Sequence, residues 1–212
     1  MADIICFLLP CSEAASQQVS TIVLSDTRYI VRRDVVNEVT IDYYPDKVKT
    51  QSPSPASGDQ AIALRFSADK KSPLQGFTFG RNRDRCDLCF RDPDRRLSNI
   101  HFRIYLDKDN DGALILQDLS TNGTIVDGTL LRCRDQTKTE TILKNGSKIL
   151  IRMRDVSLDL EFLVIIPHRE ADHERAYRGN LVSYMAELDA ATNLSHLSSD
   201  PLKRHVRVPY TD

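Results

Sequence analysis

Along this chain the apolar residues fall in short runs divided by turn residues. Ala61-Ile62-Ala63-Leu64-Arg65-Phe66 alternates with a period of two, which predicts the first core strand, and Lys70-Lys71-Ser72-Pro73 makes the turn after it. Further strand-like runs follow at close spacing over 77–79, 88–90, 101–106, 114–119, 124–126, 142–143, 148–151 and 159–166. Asn110-Asp111-Gly112, Asp127-Gly128 and Asn145-Gly146 mark hairpin turns between them, because Asn, Asp and Gly accept positive φ. Many short strands with almost no helical period predict an all-β antiparallel sandwich.

The two ends read differently. Ile4-Ile5-Cys6-Phe7-Leu8-Leu9 is apolar but short and stopped by Pro10; a polar segment over 12–20 and Thr21-Ile22-Val23-Leu24 follow. These predict a small strand added to the edge of the main fold rather than an independent domain. Residues 31–46 mix apolar and charged positions and give no assignment. The Ser/Pro-rich stretch within 45–59 neither packs nor repeats helically and predicts a mobile loop. Over 168–191, Tyr177, Leu181, Tyr184 and Leu188 recur at steps of 4, 3 and 4 residues, the stripe of an amphipathic helix folded back on the sandwich. Residues 193–212 show no pattern and are expected to be loose. The organisation is therefore an N-terminal extension at 1–59, a β domain at 60–167, and a C-terminal helix and tail at 168–212.

Charge and cysteine content narrow the class. A formal net charge of -1 over 212 residues gives no reason to expect a nucleic-acid or membrane surface for the whole chain. Between Gly80 and Tyr105, however, seven arginines face four aspartates, a local +3 that would steer an anionic ligand. Five cysteines without a disulfide-like pattern, and no secretory signal, fit a reduced cytoplasmic or nuclear interior. No run is long enough to span a bilayer. Cys86 and Cys89 have a metal-like spacing, but a structural zinc needs four ligands and the other candidates are the isolated Cys133 and His101. On a strand, a separation of three also sends the two side chains to opposite faces, so free cysteines and no metal or cofactor are expected. Catalysis is not expected either. There is no glycine-rich phosphate loop, His168-Arg169-Glu170 lacks the aspartate of a kinase catalytic loop, and no nucleophile elbow supports Ser98 with His101.

Three pieces carry the chemistry: Gly80-Arg81, the stretch Arg95-Arg96-Leu97-Ser98-Asn99-Ile100-His101, and Ser120-Thr121-Asn122-Gly123-Thr124. Each lies where a strand-like run meets turn residues, so three strand ends could share one edge of the fold. Arg81 offers a planar fork of donors, Ser98 a hydroxyl, Arg96 a second cation and Asn122 an amide that donates and accepts. That set suits a doubly charged phosphate on an extended peptide. The alternative for Arg81 is a surface salt bridge with Asp84 or Asp87. Ser98 can also be read as a strand-end cap and Asn122-Gly123 as a turn, roles that can coexist with binding.

In order and spacing these motifs, with Asp127-Gly128 following, resemble the forkhead-associated (FHA) domain, a phosphothreonine-recognition β-sandwich. Phe77-Thr78-Phe79-Gly80-Arg81-Asn82 and Arg96-Leu97-Ser98-Asn99 look most like the FHA domains of fungal Chk-two-like DNA-damage checkpoint Ser/Thr kinases. The resemblance covers about residues 60–167. It implies an FHA-type sandwich in which Arg81 and Ser98 hold the phosphate, joined by Asn99 and by Thr121 near the phosphothreonine methyl group. It further implies that Asn122 bonds the ligand main chain and that Arg96 faces the third residue after the phosphothreonine, with Arg95 as its alternate. Gly80, His101 and Gly123 would be structural support. The expected function is a phosphothreonine-dependent module that recruits phosphorylated partners in DNA-damage or cell-cycle signalling, in the nucleus or cytoplasm. The alternative is the regulatory N-terminal part of an FHA-containing Ser/Thr kinase whose catalytic domain is absent from this chain. Ser16-Gln17 and Thr50-Gln51 resemble target sites of damage-sensing kinases, and the Ser-Pro pairs at 52, 54 and 72 resemble proline-directed sites. Phosphorylated Thr50 would then occupy the site of a second copy and give phosphorylation-dependent dimers.

Overall fold

The computed structural model describes residues 1–23, 27–41, 59–92, 95–132 and 138–198. The Ser/Pro stretch at 51–58, Thr50, Cys133 and the tail from 199 lie outside them. In chain order the elements are β1 (Ile4–Pro10), α1 (Glu13–Val23), β2 (Ile30–Arg32), α2 (Arg33–Ile41), β3 (Gln60–Arg65), β4 (Phe77–Gly80) and β5 (Leu88–Cys89). They continue with β6 (Phe102–Asp107), β7 (Ala113–Asp118), β8 (Thr124–Val126), β9 (Thr129–Leu131), β10 (Glu140–Ile142), β11 (Lys148–Ile151), β12 (Leu160–Ile165) and α3 (Ala171–Ser198). Two sheets form, in the orders β2-β3-β1-β12-β11-β8-β9 and β10-β7-β6-β4-β5. All pairings are antiparallel except the short parallel contact of Phe79 and Gly80 with Leu88 and Cys89. The FHA-type sandwich expected from the sequence is the fold observed.

The main core lies between the sheets. Ile62 and Leu64 of β3, with Leu160, Phe162 and Val164 of β12, meet Phe77, Phe79, Phe102, Ile104 and Leu116 from the opposite sheet. Phe79 stacks on Phe102 with centroids 4.5 Å apart, and Phe90 stacks on Phe162 at 5.7 Å. Such aromatic pairs add about 0.5–1.5 kcal/mol beyond burial.

The N-terminal run corrects one expectation. β1 is no edge strand: it is interior, paired with β3 on one side and β12 on the other. All seven of its residues are buried, which explains a continuous apolar run in place of an alternating one. Ile5 and Leu8 enter the main core, whereas Ile4, Phe7 and Leu9 face a second cluster with Ala61, Ala63, Ile165 and Val36 of α2. β3 is accordingly not the first core strand. The polar segment after Pro10 is helical: Ser12 caps α1 by accepting from Ala15 N–H at 3.1 Å. Ala15, Val19 and Ile22 are buried along one face of that helix, and Thr21-Ile22-Val23 is its last turn.

The turns also divide. Asp127 and Gly128, with φ of 50° and 79°, close the tight β8–β9 hairpin. Asn145-Gly146 does not close a hairpin, because β10 and β11 belong to different sheets. β9 has no counterpart among the predicted strands.

The helix α3 does fold back on the sandwich. Tyr184 is buried, and Leu181, Met185 and Leu188 pack against the core. Phe66 meets the rings of Tyr177 and Tyr184 at 5.2 and 5.6 Å. The Lys70 ammonium lies 4.9 Å from the Phe77 ring and 4.7 Å from that of Tyr184. The Arg169 guanidinium sits 3.6 Å over Tyr177 and donates to the Ile4 carbonyl at 2.5 Å, tying the helix to β1.

Tyr184 is 6% exposed and Val182 69%. Tyr184→Ala is therefore expected to lower the unfolding free energy by about 3 kcal/mol, and Val182→Ala to change it by no more than about 0.5 kcal/mol. Denaturant melts of the two variants check this, and equal effects would mean that α3 is not docked.

Candidate functional site

Backbone pairing assembles the site before any side chain is considered. At the end of β4, Arg81 N–H donates to Ser98 O at 3.1 Å, Asn82 N–H to Asn99 O at 3.2 Å, and His101 N–H to Phe79 O at 2.6 Å. The loop before β6 thus lies directly against Gly80. A Cβ on Gly80 would sit 2.4 Å from the Asn99 carbonyl oxygen and 2.9 Å from that of Ser98, so glycine is required by space. Gly123 is required by conformation as well: its φ is +88°, and a Cβ there would approach Leu131 O to 2.7 Å.

His101 joins these loops to the third. Its Nδ1 accepts the Ser98 N–H at 3.2 Å, which leaves Nε2 to carry the proton and donate to Gly123 O at 3.3 Å. Next to it, the buried Asp118 carboxylate accepts the hydroxyls of Ser120 at 2.8 Å and Thr124 at 2.7 Å, and Ser120 Oγ accepts the Gly123 N–H at 2.7 Å. Burial pushes the His101 pKa down, with Asp118 opposing the shift.

The three loops border a cleft of about 800 Å³, and Arg81, Arg96, Ser98, Asn99, Thr121 and Asn122 all line it. Ser98 Oγ accepts the Thr121 N–H at 3.1 Å, and its hydroxyl hydrogen has no acceptor among the described residues. Asn122 Nδ2 donates to Arg96 O at 2.7 Å, which leaves one N–H and the amide oxygen for a ligand. Arg81 is exposed and forms no ion pair among the described residues. The salt-bridge alternative fails for Asp87, which is buried and accepts from Lys71 N–H, Thr78 N–H and the Thr78 hydroxyl at 2.7, 2.8 and 2.7 Å. Arg96 is half-buried with its Nε unpartnered, whereas Arg95 is exposed with φ of 54°. Both line the cleft.

The cysteines support the same loops from behind. Cys86 Sγ donates to Asn99 O at 2.9 Å and Cys89 Sγ to Arg81 O at 3.2 Å. Burial pushes the Cys86 thiol up to about 11 and raises Cys89 too.

Sequence reasoning did not find Arg103, Gln117 and Leu119, which extend the cleft along the outer face of β6 and β7. Arg103 Nε donates to Gln117 Oε1 at 2.7 Å, and its guanidinium lies 4.8 Å over Tyr105. The signal was present in the period-two alternation of β6, whose residues 103 and 105 point away from the core.

Residues 77–152 match the FHA domain model, and the chain contains an FHA domain there. Among curated proteins the chain is similar to the serine/threonine-protein kinase RAD53 of Saccharomyces cerevisiae, 37% identical over 97 residues. That match spans 46% of this chain and 11% of the kinase. Among solved structures it is similar to the N-terminal FHA domain of S. cerevisiae Rad53p in complex with a phosphothreonine peptide, at 36% identity and a TM-score of 0.35. That likeness covers 42% of this chain and 66% of the other. An engineered FHA with a Myc-pTBD peptide is 28% identical, covering 57% of this chain and 88% of the other, with a TM-score of 0.40.

The lowered His101 pKa sets a pH dependence. The unfolded chain takes up the imidazole proton near the ordinary value of about 6.5, before the folded chain does. The stability is therefore fully present above about pH 6.5 and is lost as the pH falls below it. Wild-type protein is expected to lose more stability than a His101→Gln variant between about pH 7.5 and 5.5, measured by denaturant midpoint at each pH.

Proposed function

We propose that this chain is a phosphothreonine-dependent protein-binding module. The observation that carries the reading is the Arg81 guanidinium in one cleft with the Ser98 hydroxyl, the first without an ion-pair partner and the second without an acceptor for its hydrogen among the described residues. Arg81 and Ser98 bind the phosphate through charge-assisted bonds, with Asn99 beside them and Thr121 near the phosphothreonine methyl group. Asn122 uses its remaining N–H and its amide oxygen on the ligand main chain. Arg96 selects the third following residue, and an acidic side chain is its natural partner. Gly80, His101 and Gly123 hold the loops in register.

The mechanism is recognition, not turnover. Two or three charge-assisted bonds of about 1.5–3 kcal/mol each give roughly 3–9 kcal/mol before the cost of ordering a peptide. Reversible binding near micromolar follows. A place in DNA-damage or cell-cycle signalling, in the nucleus or cytoplasm, is supported by the similarity to RAD53. Among the described residues no helix is long and apolar enough to cross a membrane. On the same reading a second copy phosphorylated at Thr50 is one ligand, and tens-of-micromolar phosphorylated protein that stays monomeric refutes that part. The match to a kinase also favours a second reading, in which this chain is the regulatory part of an FHA-containing Ser/Thr kinase. Coding sequence continuing past residue 212 into a kinase glycine loop would establish it.

Titration with an oriented phosphothreonine peptide library tests the site. Wild-type protein is expected to bind with micromolar affinity, and Arg81→Ala to weaken binding by about thirtyfold or more. Unphosphorylated peptide should not bind, and Arg96→Ala should lose only the preference at the third following residue. Equal binding of phosphorylated and unphosphorylated peptides would refute the reading.

A further inference from the structure

A second cleft, of about 930 Å³, opens on the other side of Arg81, and Arg81 and Asn99 line both. Its far wall is α1, through Ala14, Gln17, Gln18 and Thr21. The helix is joined to the β5 side by a two-point amide contact: Arg91 N–H donates to Gln18 Oε1 at 2.7 Å, and Gln18 Nε2 donates to Arg91 O at 2.9 Å. This wall is built from residues outside the matched 77–152 segment.

The lining states what would fit. Arg83 and Arg91 join Arg81 there, all three exposed and without ion-pair partners among the described residues, against the single carboxylate of Asp92. One oxygen of Asp92, Oδ2, accepts the Leu97 N–H at 2.7 Å. The other, Oδ1, is buried without a hydrogen-bond partner among the described residues, so this carboxylate is turned inward and offsets little of the cationic rim. Leu158, 37% exposed, gives the cleft an apolar side chain, and Phe90, Met153 and Leu160 border it as buried core residues. The cleft therefore offers an extended peptide a cationic rim and one exposed apolar side chain.

We propose that this second cleft receives the residues that precede the phosphothreonine in the same ligand, with acidic side chains preferred among them. The inference rests on the reading of the first cleft, in which Arg96 faces the residues that follow the phosphothreonine. A chain anchored at Arg81 and running away from Arg96 enters the space between Arg81 and α1.

The test uses the full chain and two phosphothreonine peptides, identical after the phosphothreonine but carrying either acidic or Gly/Ser residues at the three preceding positions. Wild-type protein is expected to prefer the acidic peptide roughly fivefold, the scale of exposed charge pairs. Arg83→Gln/Arg91→Gln should abolish the preference while the Gly/Ser peptide keeps its phosphate-dependent binding, and Arg83→Glu/Arg91→Glu should abolish it too, with both peptides weakened by the reversed charge. Phosphate-dependent binding with no preference in wild type, or a preference kept by both double variants, overturns this proposal alone. Loss of all phosphate-dependent binding overturns the reading of the first cleft and this one with it.

Discussion

The cleft depends on one buried imidazole. His101 receives the Ser98 N–H on one ring nitrogen and donates to the Gly123 carbonyl from the other, so a single side chain fixes the separation of the loops that carry Ser98 and Asn122. Its own N–H reaches back to Phe79 O, next to Arg81. A neutral, singly protonated ring is the only form that satisfies both neighbours, since an imidazolium has no acceptor for Ser98. Burial favours that neutral form, and the hydrogen-bonding arrangement and the electrostatics agree on it.

The same economy governs the charges. Among the aspartates near the cleft, Asp87 is buried and turned to the Lys71 and Thr78 N–H groups and the Thr78 hydroxyl, and Asp118 to the Ser120 and Thr124 hydroxyls of its own loop. They stiffen the turns without neutralising the guanidinium groups that face outward. An arginine held in an exposed salt bridge would have to break that pair before taking an anion; Arg81 forms none among the described residues. The order of the loops therefore lies in the carboxylate-hydroxyl and imidazole contacts, and the exposed cations are left unneutralised by them.

The fold was legible where local pattern and tertiary role coincide. Strands β4, β6, β7, β8, β11 and β12 alternate or end in turn residues, and each lies where the pattern puts it. The stripe of Tyr177, Leu181, Tyr184 and Leu188 predicted a docked α3, because a helix that covers one core face needs one apolar face. The N-terminal run misled for the opposite reason. β1 is covered on both sides, by the opposing sheet and by α2, so it does not alternate, and a continuous run of that length carries no sign of its place in the sheet. Within the cleft, Arg81, Arg96, Ser98 and Asn122, legible as donors at strand ends, line one space with Asn99 and Thr121, which the FHA resemblance added. Arg103, Gln117 and the α1 wall escaped notice, since they reach the clefts through strand register and chain folding that local spacing does not record.

The interior place of β1 has a consequence for the cleft. Because β1 pairs with β3 and β12, and α1 follows it after Pro10, the helix cannot move far without disturbing the larger sheet. Ser12 sharpens the constraint: its hydroxyl caps α1, donates to Asp159 O at 2.7 Å and accepts the Glu161 N–H at 3.2 Å. The first turn of α1 is thereby pinned to the start of β12, and Gln18, two turns along, is pinned to Arg91. A helix held at both points is a rigid wall beside Arg81, fixed there through the same sheet that gives the fold its core.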